Sequence, residues 1–87
     1  MNLLEAINMI LNDYDLTGAI AADEAENPYF DEAMDIHYYM MNIYDSKDRS
    51  RTDFLAHAIS NILFNNLKIV PDSSLCRGMA LEIMELV

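Results

Sequence analysis

Apolar residues recur along this chain at helical spacing. Leu3, Leu4, Ile7, Ile10 and Leu11 follow the i, i+3, i+4, i+7, i+8 order of a helix with one buried face. A second helix is announced by 27-NP-28. Asn suits an N-cap there, Pro suits the first helical position, and Asp31 and Glu32 complement the dipole in the first turn. The pattern predicts a helix from Pro28 to about Tyr44 whose apolar residues occupy most of the circumference. Phe30, Ala33, Met34, His37, Met41 and Tyr44 share one face, with Ile36, Met40 and Ile43 beside them. Asp31, Asp35, Asn42 and Asp45 mark a polar edge, with Tyr38 in line. A helix apolar on most sides is expected at the centre of a bundle.

The polar connector 46-SKDRSRT-52 follows, with Ser50 and Asp53 spaced for a capping box. Phe54, Leu55, Ala58, Ile59, Ile62, Leu63 and Leu67 then predict a third helix. Pro71 breaks it, and Asp72 or Ser73 can cap a last helix whose polar stripe is narrow (Gly78, Glu82, Glu85). No segment alternates with period two, so strands are not expected. The chain reads as all-α: a single domain over 1–87, a compact bundle of four to five short helices, the fifth being 19-AIAADEAE-26.

Composition agrees and adds limits. With 87 residues, 53% of them hydrophobic, and only two Gly and two Pro, the chain can build one core and little more. The single Cys76 makes neither an internal disulfide nor a Cys-based zinc cluster, and it fits a reducing compartment. No basic, apolar leader is visible, since Asn2 and Glu5 interrupt the first apolar run. A cytoplasmic location is the expectation, which for a phage protein means the host cytoplasm.

Charge is lopsided. Residues 1–46 carry Glu5, Asp13, Asp15, Asp23, Glu24, Glu26, Asp31, Glu32, Asp35 and Asp45 without a Lys or Arg. Residues 47–87 balance Asp48, Asp53, Asp72, Glu82 and Glu85 against Lys47, Arg49, Arg51, Lys68 and Arg77. The net charge of −10 therefore belongs to the N-terminal half. Nucleic acid and anionic membrane need a basic footprint, so neither is expected as a direct partner. A basic protein surface or a cation is compatible.

The stretch 13-DYDLTGAIAADE-24 resembles a calcium-binding EF-hand loop. That resemblance implies side-chain oxygens from Asp13, Asp15 and Thr17, a carbonyl from Ala19, a sharp turn at Gly18, an anchor at Ile20 and a bidentate Glu24. The match has gaps. Leu16 falls where water is usual, Asn12 where an apolar residue is usual, and Pro28 truncates the exiting helix. The candidate partner loop 45-DSKDRSRTDFLA-56 puts Lys47 and Arg49 at ligand positions. A plain turn accounts for the same letters: Asp13 and Asp15 end the first helix, and Thr17 and Gly18 form the turn. The turn is the adopted reading and calcium the alternative.

The usual catalytic constellations are missing, and no enzyme is expected. His37 lies on the apolar face of the second helix and reads as a core residue. His57, four after Asp53, reads as one half of an exposed pair. A Cys76–His nucleophile is opposed by the apolar stripe in which Cys76 sits.

These features point to a small binding protein, an inhibitor that occupies a basic, nucleic-acid-binding surface. Asp31 and Asp35, extended by Asp23, Glu24, Glu26 and Glu32, would meet Arg and Lys residues that otherwise hold phosphates, with Tyr38 and Tyr39 adding contact area. In size and charge the chain is similar to phage-encoded anti-CRISPR and anti-restriction proteins and to immunity proteins against nuclease toxins. A third reading is a homo-oligomeric structural or adaptor subunit, paired through the Tyr/Met helix or the last helix.

Overall fold

Asn2 starts the first helix by accepting the Glu5 backbone amide on its side-chain Oδ1 at 2.8 Å, while its side-chain Nδ2 donates to Glu5 Oε1 at 3.0 Å. Helix α1 then runs Leu3–Tyr14, α2 Phe30–Asn42, α3 Thr52–Leu67 and α4 Ser73–Met84. The computed structural model describes residues 1–23, 26–42 and 52–86. The expected extension of α2 through Ile43 and Tyr44, the connector before Thr52 with its Ser50 cap, and Glu24 lie outside the described residues.

Each helix stops for a local reason. Asp15 adopts the left-handed conformation at φ 46°, and its N–H closes α1 on the Leu11 carbonyl. Lys68, at φ 57°, closes α3 on Phe64 in the same way. Asp72 caps α4, accepting both the amide and the hydroxyl of Ser74. The Asn27 side chain does not cap α2. It accepts from Asn8 of α1 instead, while the Asn27 carbonyl receives the Phe30 amide. The expected short helix over 19–26 is a run of turns as far as Asp23. Gly18 and Asp23 both take positive φ, at 76° and 55°, and the residues between them make barely one helical turn.

The helices form a ring: α1 packs on α2, α2 on α3, α3 on α4 and α4 on α1, with α3 and α4 sharing the largest contact. The least extent of the molecule, 18 Å, is the thickness of two helix layers. Ile7 and Leu11, Ala33 and Ile36, Leu55 and Ile59, and Met79 and Ile83 meet in the middle. Burying one of these Ile, Leu or Met side chains contributes about 1.5–3 kcal/mol.

Two expectations are corrected by this packing. First, α2 is not a central helix; it is one of the four walls of the ring, packed on α1 and α3. Its buried arc is Tyr29, Glu32, Ala33, Ile36 and Met40, while Phe30, Met34 and Met41 face outward. His37 is half-buried at the edge of that arc. Second, Phe54 stands outside the α3 stripe and is 59% exposed. No described helix is long and apolar enough to cross a membrane.

Candidate functional site

At 100° per residue, the outward arc of α2 carries two parallel lanes. Phe30, Met34 and Met41 form an apolar lane, and Asp31, Asp35 and Asn42 a polar one, with Tyr38 on the boundary at 66% exposure. Asp31 and Asp35 lie one turn apart, about 6 Å along the axis. The helix has three acids and no cation. Tyr39 points the other way and packs, half-buried, against the core.

The acidic lane is fixed from one side by α3. Asn66 Nδ2 donates to Asp35 Oδ2 at 2.7 Å and to Glu32 Oε2 at 3.4 Å. Asn66 thus spans two carboxylates one turn apart and links α3 to α2. Glu32 is only 3% exposed, which corrects its place in the expected contact row. Burial pushes its carboxyl pKa up; the Asn66 hydrogen bond opposes the rise, and the charges of Asp31 and Asp35 add to it. Asp23 and Glu26 are exposed on the approach to α2.

The turn after α1 is organised around one carboxylate. Asp15 Oδ1 accepts the Ile20 amide at 3.0 Å and the Tyr29 hydroxyl at 2.6 Å, and Oδ2 accepts the Ala21 amide at 3.0 Å. The same Tyr29 oxygen lies 3.0 Å from the Thr17 amide and 2.8 Å from its hydroxyl. The Tyr29 hydroxyl, then the loop amides, hold the Asp15 carboxyl below its usual range. Of the EF-hand positions, Asp13 is exposed, Asp15 and Thr17 are bonded to Tyr29, and Ala19 is buried. Sequence reasoning passed over Tyr29, whose ring is 2% exposed and whose hydroxyl ties this turn to the start of α2. Its position directly after Pro28 was the available signal.

A cleft of about 520 Å³ opens beside the α3–α4 contact, with His57, Ser60, Cys76 and Arg77 in its walls. Burial pushes the Cys76 thiol up, partly offset by a hydrogen bond with Ser60. A nucleophilic Cys needs the opposite shift. Asp53 pairs with Arg77 of α4 rather than with His57, correcting that expectation.

Comparison with protein-family models, with curated proteins and with solved structures finds no match for this chain.

Proposed function

We propose that this protein binds another protein, docking the outer face of α2 on a basic, nucleic-acid-binding surface and so blocking it. The observation that carries the reading is the pairing of Asp31 and Asp35 in one exposed lane, with Asp35 held by Asn66, beside exposed Tyr38 and Met34. Carboxylates about 6 Å apart can meet guanidinium or ammonium groups set to hold successive phosphates. The net charge of −10 would speed the encounter through long-range attraction. Calcium is less well supported. Asp15, the central ligand of that reading, already accepts three donors from its own chain.

The test is capture from a lysate of the source organism with wild-type and D31K/D35K baits, followed by a displacement assay. The wild-type bait should retain a basic protein that the variant loses and that raised salt releases. Added wild-type protein should then eject labelled nucleic acid from that partner. Equal retention by both baits, or nucleic acid left in place, contradicts the proposal.

A further inference from the structure

We infer that the partner offers its basic groups on an amphipathic α-helix, received along the seam Phe30–Met34–His37–Met41 of α2. This rests on the docking reading above and adds the form of the ligand. The intervals between these residues are 4, 3 and 4, the a/d spacing by which one helix seats a second along its length. A seam of that kind normally lies inside a bundle. Here Phe30, Met34 and Met41 are 39%, 44% and 65% exposed and His37 is half-buried, so the seam faces outward.

The other described helices lack such a lane. On α3, exposed Phe54 and Phe64 are interrupted by exposed His57 and Asn61. On α4, exposed Leu75 and Leu81 do not share a face. The α2 seam spans about 16 Å, or three helical turns. Its two Met side chains can adapt to differently shaped apolar partners.

Charge selects among possible occupants. In the same register, Asp31 and Tyr38 fall at the flanking positions where opposite charges pair across two helices, and Asp35 lies one step further round. A second copy of this chain is disfavoured. A two-fold pairing of α2 on α2 would bring together two helices that each carry three acids and no Lys or Arg, in molecules of charge −10. A helix with apolar residues at matching spacing and Lys or Arg beside them satisfies both lanes.

The probe is a fluorescent Leu/Lys peptide of about 18 residues, long enough to form a helix, with Leu at 4–3 spacing, compared with a scramble of the same composition. Binding is read by anisotropy, with self-association checked by sedimentation. The patterned peptide should bind at least about tenfold tighter than its scramble, and M34A/M41A should abolish that preference. Both Met side chains are exposed, so circular dichroism should stay unchanged. Equal binding of the two peptides, an M34A/M41A variant that keeps the preference, or self-association lost in that variant overturns the inference. The docking reading fails by a different route. D31K/D35K would then weaken both Lys peptides no more than D13K/E85K, which makes the same charge change elsewhere.

Discussion

The Tyr14 hydroxyl donates to Glu82 at 2.6 Å from space that only a glycine at residue 78 leaves open. A Cβ there would lie 2.7 Å from the Tyr14 oxygen. Gly78 sits inside α4, where Gly costs about 0.5–1 kcal/mol relative to Ala, so the contact offsets a penalty in helix propensity. A double-mutant cycle followed by urea denaturation should therefore be strongly non-additive. Gly78→Ala should gain about 0.5–1 kcal/mol in a Tyr14→Phe background, and should lose stability or gain nothing when Tyr14 is present. Equal effects in both backgrounds would break the link between the two residues.

Tyr14 also gives a spectroscopic readout. Its phenol is pushed from 10.0 to about 12, first by the hydrogen bond to Glu82, then by burial and by the Glu82 charge. An acid whose folded value exceeds its unfolded one stabilises below the lower value and loses that contribution as pH rises through the higher. Ultraviolet titration should show one tyrosine ionising late, and Glu82→Gln should return it towards its usual range.

Acid should loosen the molecule at its turns. Asp15 and Asp72 both have carboxyls held below 3.8, Asp15 chiefly by the Tyr29 hydroxyl and Asp72 chiefly by Ser74. Their stabilisation is present above 3.8 and disappears as pH falls through the lower folded values. Asp15→Asn should flatten the acid limb of the Tm-versus-pH curve, and Tyr29→Phe should lower Tm at neutral pH. Because the Asp15 oxygens already serve the loop, millimolar calcium should leave Tm unchanged. A rise in Tm that Glu24→Gln removed would restore the calcium reading.

Glu32 works in the opposite direction. With its folded value raised, the charged carboxylate costs stability above that value, and protonation relieves the cost as pH falls through it. Glu32→Gln should raise Tm at neutral pH, and the advantage should vanish in acid. A variant less stable than wild type at neutral pH would mean that Asn66 needs the charge more than burial opposes it.

The contrast between α1 and α2 shows what the sequence could reveal. In α1, polar Asn8, Asn12 and Asp13 bound the stripe, so Ile7 and Leu11 are legible as core. In α2, Phe30 and Met34 are as apolar as Ala33 and Ile36. Periodicity alone could not say which arc turns inward, and that arc decides the site. Packing decides it by drawing Ala33 and Ile36 into one core with Ile7, Leu11, Leu55 and Ile59. Alongside, the Tyr29 hydroxyl is bonded to Asp15, and Asn66 to Glu32 and Asp35. These bonds join residues distant in sequence, as does Arg77 with Asp53, and no local pattern signals them. The Asn2–Glu5 cap is different in lying within one turn, where the sequence showed only two polar residues interrupting an apolar run.

The surface lanes should be separable from the fold. D31K/D35K should change unfolding free energy by no more than about 2 kcal/mol, since the exposed Asp35–Asn66 bond belongs at the low end of the range for hydrogen bonds to a charged group. Its effect on binding should be much larger. A variant that failed to fold would place these acids in the structure of the bundle rather than on a docking face.

Docking through the outer face of α2 should leave a footprint on that helix. Nuclear magnetic resonance mapping of backbone amides during titration with the captured basic protein, or with the patterned Lys/Leu peptide, tests it most directly. Docking through α2 should concentrate the shift changes on residues 30–42 and spare the exposed face of α4. Changes centred on the α3–α4 cleft, around His57, Ser60 and Arg77, would contradict it.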